Sequence, residues 1–182
     1  MVIHFIDNKN NIHILYNKSI YDGVNLYSVV YLGKYDPNGN VLWYKTINEK
    51  HGKDIFASDL KVSETNNVYI TGNSNSYSFE QGIKCDDVES SGGSYYFIKF
   101  SENGKCEWIK TSSNTSTNSI GNSITEENGH IYVLGRIDVL DRNNIQNVAF
   151  IGIENSINII SNLYNFFIAH YWFFYKFCFS FH

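Results

Sequence analysis

The residues of this chain that could do chemistry are an acidic cluster, an oxygen-rich turn, a scatter of histidines and three cysteines. Cys85, Asp86, Asp87 and Glu89 stand together in the long connection from Asn73 to Ser94, where a metal or a cationic ligand would find carboxylate oxygens. Charge runs in loops are, as a rule, solvated, and that is the expected state of this one. Asp36-Pro37-Asn38-Gly39-Asn40 offers alternating Asp and Asn oxygens in the manner of a calcium loop. Its glycine is misplaced for that purpose and no distal bidentate Glu follows, so the expected structure is a plain hairpin turn. His4, His13, His51, His130, His170 and His182 are dispersed, with no His-x-x-x-His spacing and no cysteine pair nearby. His13 and His130 are expected to be ordinary strand and turn residues.

Cys85, Cys106 and Cys178 are odd in number and lack a C-x-x-C pair, which fits neither a disulfide framework nor a zinc site, so free thiols are expected. No Gly-x-Ser-x-Gly elbow and no phosphate-cradling glycine loop occurs. Carboxylates are present, but nothing in their spacing pairs two of them for glycoside hydrolysis. No catalytic, cofactor-binding or metal-binding residue is assigned on this basis, and no cofactor is expected.

The elements that would have to position such groups are set by an internal repeat. Tyr31 to Thr46 reads YLGKYDPNGNVLWYKT and Phe97 to Thr111 reads FIKFSENGKCEWIKT, so that Gly39 matches Gly104, Trp43 matches Trp108, Lys45 matches Lys110 and Thr46 matches Thr111 at one constant offset. A second motif follows each copy, NVYITG at Asn67 to Gly72 and HIYVLG at His130 to Gly135. An earlier copy of it, NIHILY at Asn11 to Tyr16, has no first motif before it, and a late copy of the first motif opens at Val148. The repeat therefore predicts two full units plus partial units.

Each unit reads as four short strands. The first ends at Tyr35 or Phe100, and an Asn-Gly turn, which supplies the positive φ that a tight hairpin needs, leads to a second strand carrying the Trp. A third strand near Asp59 to Val62 or Ser123 to Thr125 turns back into VYITG or IYVLG. Such a unit cannot bury both of its faces alone, so neighbours must stack, and radial stacking of four-stranded blades gives a propeller. The repeated Trp and Tyr are then expected between blades.

These residues resemble the β-propeller repeat called SBBP. The similarity rests on Lys34-Tyr35, the turn Asp36 to Asn40, Leu42-Trp43, the closing Val68-Tyr69-Ile70-Thr71-Gly72, and Ser91-Gly92-Gly93 before the strand Tyr95 to Phe100. The resemblance implies an all-β fold, a partial β-propeller of four-stranded antiparallel blades, over residues 1–155. It is nearly silent on activity, because one fold hosts enzymes, binding modules and scaffolds alike. Since propellers carry at least four blades, a chain with this content is expected to self-associate through open blade edges or to bind another protein.

Residues 156–182, SINIISNLYNFFIAHYWFFYKFCFSFH, leave the repeat and form an aromatic-rich hydrophobic tail. It could be the translation of a shifted frame, a packed cap over the open edge, or a membrane anchor. Leu163 to Phe181 approaches the ~20 residues of a spanning helix, but Asn165, His170 and Lys176 interrupt it.

Bulk composition narrows the function classes. With 43% hydrophobic and 18% charged residues the chain is apolar enough to fold. A net charge of −4 without any Lys/Arg cluster argues against nucleic-acid binding. The first residues lack the pattern of a secretory signal, so the cytoplasm is the default expectation for location, and the compartment itself is left open. Repeats rich in packing residues and poor in candidate catalytic groups favour a non-enzymatic interaction or structural module. The alternatives are a fragment of a propeller hydrolase or carbohydrate-binding protein acting through inter-blade loops, and a truncated gene product without function.

Overall fold

A computed structural model describes residues 2–49, 54–74, 83–90, 95–111, 119–127, 130–141, 144–153 and 156–158. All regular structure among them is strand, paired antiparallel in three sheets. The first sheet takes β1 (Val2–Ile6), β2 (Ile12–Tyr21), β3 (Leu26–Tyr35) and β4 (Val41–Glu49) in chain order. The second takes β5 (Ile55–Val62), β6 (Val68–Ser74), β9 (Tyr95–Phe100) and β10 (Cys106–Thr111). The third takes β11 (Ser119–Glu127), β12 (His130–Asp141), β13 (Asn144–Ile153) and β14 (Ser156–Asn158). Between β6 and β9, β7 (Ile83–Cys85) and β8 (Val88–Glu89) form a small hairpin that pairs with β4.

The strands are joined by one recurring loop. At 7–11, 36–40, 63–67 and 101–105 the first residue's N–H donates to the carbonyl of the fifth, and the N–H of the fourth donates back to the carbonyl of the first, all at 2.9–3.0 Å. The fourth residue is held at positive φ: 62° at Asn10, 87° at Gly39, 61° at Asn66 and 77° at Gly104. Gly and Asn tolerate that region at least cost, which is why they recur there. The first residue's side chain also accepts from the fifth residue's N–H, through Asp7 and Asp36 at 2.8 Å, Ser63 at 3.1 Å and Ser101 at 3.2 Å. Asp36 thus spends its carboxylate on Asn38 and Asn40 of its own turn, which holds its pKa below the usual carboxylate value. The hairpin expected there is the observed one.

Register confirms the duplication strand by strand. Trp43 stands opposite Lys34 beside a bulge, and Trp108 stands opposite Lys99 beside another. The β5–β6 pair is bulged between Ala57 and Asp59, and β11–β12 between Gly121 and Ser123. The grouping into sheets, however, is offset by two strands from the unit visible in the sequence. β5 and β6 do not pair with the Trp43 hairpin before them but with the Trp108 hairpin after them. NIHILY pairs with the Tyr31 strand of the first motif that follows it, Ile12 opposite Tyr35. Two full units plus partial units, cut at the hydrogen-bonded seams, make three blades, the first extended from four strands to six by the β7–β8 hairpin.

Alternation along the strands gives the sheets apolar faces that meet one another. Between the first and second sheets lies the larger core, Leu15, Val30, Leu32 and Ile47 on one side and Leu60, Ile70, Ile98 and Phe100 on the other. Between the second and third, Tyr69, Tyr95 and Phe97 meet Ile124, Ile131 and Val133. The boundary expected at residue 156 falls inside the β13–β14 pair, where Ile153 stands opposite Ser156. Residues 159–182, on which the three readings of the tail turn, lie outside the described residues. Among the described residues no helix is long and apolar enough to cross a membrane.

Candidate functional site

Side chains with chemical potential gather at the seams between blades. Asp7 opens the β1–β2 turn, and its fully buried carboxylate accepts from the N–H groups of Lys9 and Asn11, the Asn11 amide at 3.0 Å and His13 Nε2 at 3.1 Å, with Lys34 Nζ at 3.2 Å. Burial alone would raise its pKa, but the donors from Asn11, His13 and Lys34 outweigh burial and hold Asp7 far below the usual carboxylate range. Burial is also the first cause at His13, pushing its pKa down against the pull of Asp7, and Lys34 adds to the fall. His13 is therefore neutral at pH 7, donates from Nε2 to Asp7, and leaves Nδ1 buried without a partner. The Trp43 ring meets the imidazole edge-on at 6.0 Å. An Asp–His pair can relay protons, but both groups are closed to solvent, so no substrate reaches them, and their effect falls on the fold.

The sequence did not single out Asp7, marked Lys34 only as part of the repeat motif, and took His13 for an ordinary strand residue. A signal was present. His13 occupies the register position held by Tyr69 and Tyr132 in the later copies, while Asp7 stands where the second copy has Ser63. In the second blade the same position is an aromatic stack of Tyr69, Phe97 and Trp108, with Lys99 Nζ 5.7 Å from the Tyr69 ring. A polar ring in place of a phenol demands a buried partner, and the turn supplies it.

The acidic cluster is a seam device as well. It lies on the β7–β8 hairpin rather than on an irregular loop. Asp86, at φ 52° in the hairpin turn, accepts from Lys45 Nζ at 2.8 and 2.9 Å and from the backbone N–H of Cys106 at 3.1 Å. One carboxylate so joins β4 of the first blade to β10 of the second. Burial opposes ionisation of Asp86, and these partners outweigh it, so its pKa is lowered. Glu89 stands 3.5 Å from Lys84 in an exposed pair, and Asp87 is exposed. Cys85 and Cys106 are free and buried, and the neighbouring Cys106 thiol together with burial pushes the Cys85 thiol far up, so it stays protonated and unreactive. Among the described residues no group of three His, Cys, Asp or Glu could hold a metal. His4 and His130 are exposed, and His51, His170, His182 and Cys178 lie outside the described residues.

Two further polar staples cross the seams. Asn17 on β2 accepts from the Ala57 N–H at 2.9 Å and donates to the Ala57 carbonyl at 3.4 Å, at the bulge of β5. Asp59 Oδ2 accepts from the Ser123 hydroxyl at 2.8 Å and the Ile124 N–H at 2.9 Å, at the bulge of β11. At one end of these seams the β1–β2 and β5–β6 turns and Glu126 border an open cleft of about 660 Å³, where Lys61 Nζ lies 5.6 Å from the Phe5 ring.

The remaining feature is a surface. The first blade's outer face carries Val2, Ile6, Val41 and Tyr44, which are 57–69% exposed, around Ile12, Ile14, Tyr35 and the stacked pair Tyr16 and Tyr31, whose ring centroids are 5.2 Å apart.

Residues 49–80, which contain β5 and β6, match the family model for the SBBP β-propeller repeat. No curated protein matches the chain.

Proposed function

We propose that this chain, a β-propeller repeat protein, works as a non-enzymatic interaction or structural module whose working surface is the open face of its first blade. The observation that carries this reading is that face itself: an apolar sheet surface that the described residues leave exposed while both inter-blade seams are filled. The fate of the ionisable groups supports it. Asp7, Asp59 and Asp86 are committed to amides and ammonium groups of the neighbouring strands or blades, so that one carboxylate of the acidic cluster between Asn73 and Ser94, Asp86, is spent on the seam.

The test is a photo-activated benzophenone side chain placed at Tyr44, with a control at Lys105 in the β9–β10 turn. Irradiation in the source cell should give a discrete protein adduct at Tyr44 and none at the control. Absence of an adduct at Tyr44 would remove the reading.

A further inference from the structure

The open face has an internal counterpart that says what covers it. Read across the first sheet by register, its rows are His4–Ile14–Gly33–Tyr44 and Ile6–Ile12–Tyr35–Val41. The matching rows of the second sheet are Leu60–Ile70–Ile98–Ile109 and Val62–Val68–Phe100–Cys106. In the second blade these side chains are in the core, Ile70, Ile98, Val68 and Phe100 at 0% exposure, seated on Leu15, Leu32 and Ile47 of the first blade. The third blade repeats the arrangement, with Ile124, Ile131 and Val133 against the second. Every later blade thus presents this face to the opposite face of the blade before it. Among the described residues, the first blade's copy of this face meets no such neighbour.

The complementary surface is the forward face, the one carrying Leu15 and Leu32 in the first blade and Tyr69 and Phe97 in the second. On the third blade its members include Tyr132 and Leu134, which stand in register with Ile153 and Ile151. Leu134 is 38% exposed, whereas its counterpart Thr71 is fully buried. One chain therefore offers both halves of a blade-to-blade seam, at opposite ends of its three sheets.

We infer that the partner is a second copy of this chain, seated head to tail, so that the forward face of one third blade covers the open face of the other's first blade. Two copies of three blades close a six-bladed ring about a two-fold axis, inside the four-to-eight range in which propellers close. This inference rests on the interaction-module reading and names its partner.

Sedimentation velocity on the full chain tests it, with Tyr44→Glu for the open face and Leu134→Glu for the forward face, folding of each variant checked by far-ultraviolet circular dichroism. The wild type is expected as a two-chain species at micromolar concentration, and each variant alone as a folded monomer. An equimolar mixture of the two variants restores one intact seam and should regain a two-chain species that neither forms alone. A monomeric wild type would overturn the inference, as would a Leu134→Glu variant that still dimerises, the mark of a face-to-face pair. An adduct at Tyr44 with a protein other than this chain would overturn the self-association while sparing the module reading, and no adduct would sink both.

Discussion

The Trp43 indole N–H donates to the carbonyl oxygen of Glu102 at 3.0 Å, so the last long strand of the first blade is held by a hairpin turn of the second. Trp108 holds the equivalent register position and packs on Phe97 at 4.9 Å and on Tyr69 at 6.4 Å beside the third blade. Both rings are half-buried, so truncation costs less than in a closed core. Trp43→Ala and Trp108→Ala should each destabilise by about 2–3 kcal/mol, read from the denaturant midpoint. Unchanged midpoints would contradict the inter-blade role of the two indoles.

Glycines at matching turn positions should respond unequally. Gly39 and Gly104 both have positive φ, which costs an Ala side chain about 1–2 kcal/mol. A Cβ at Gly39 meets open space, whereas at Gly104 it would lie 2.6 Å from the Trp43 ring. Gly104→Ala should therefore lower the melting temperature clearly more than Gly39→Ala. In a Trp43→Ala background the gap between them should close, and a gap that persists would show that the ring is not the obstacle.

The Asp7 cluster predicts an acid-sensitive seam. His13 has a folded pKa below its ordinary 6.5, so as pH falls through 6.5 the unfolded chain takes up a proton that the fold refuses, and stability drops. Asp7, also lowered, contributes stability that is complete above its ordinary 3.8 and is lost as pH falls below it. Both effects weaken the fold in acid, one beginning near neutrality and one at lower pH. His13→Tyr, which installs the residue of the second copy, should remove the upper step and keep the lower one. Chemical denaturation from pH 7.5 to 2 spans both steps and checks this, and an unaltered upper step would place its origin elsewhere.

Removing Asp7 is a different matter from removing His13. Asp7→Ala leaves the buried Lys34 ammonium without its acceptor, which typically costs about 3–5 kcal/mol. Asp7→Ala together with Lys34→Met should recover much of that loss, and a double variant as unstable as the single one would count against the pairing.

Asp86→Ala should free the small hairpin. Its loss removes two bonds from Lys45 and one from the Cys106 amide, worth about 1–3 kcal/mol together after solvent screening. The Glu49 amide region and Ile83, which face each other across the β4–β7 pair, should exchange hydrogen faster while β2 and β6 are unaffected. Equal exchange in both proteins would mean that the hairpin is held by its apolar contacts alone.

Much of this architecture was legible in the chain. Gly39 and Gly104 announced their turns because positive φ selects residue type strongly, and Trp43, Trp108 and Tyr69 announced the seams because large rings recur only where a neighbour must be met. Blade phase was not legible, since the choice of β6 to pair with β9 rather than β4 is a long-range competition between strands of equal local character. The β7–β8 hairpin was missed because strands of three and two residues, flanked by Asp86 and Asp87, carry no periodicity. The burial of His13 was not legible because it depends on Asp7 across a turn, and a buried imidazole looks the same in sequence as an exposed one.

The hairpin that reaches back to β4 interlocks the first two blades. Repeat arrays usually grow and shrink by whole units, because each copy contacts only its neighbours through side chains. Here a segment encoded after β6 completes the backbone pairing of a sheet encoded before β5. During synthesis β1 to β4 can pair as they emerge, but the border at Asn48 and Glu49 closes only after that segment leaves the ribosome, and genetic exchange that swapped it out with the second blade would strip that border away.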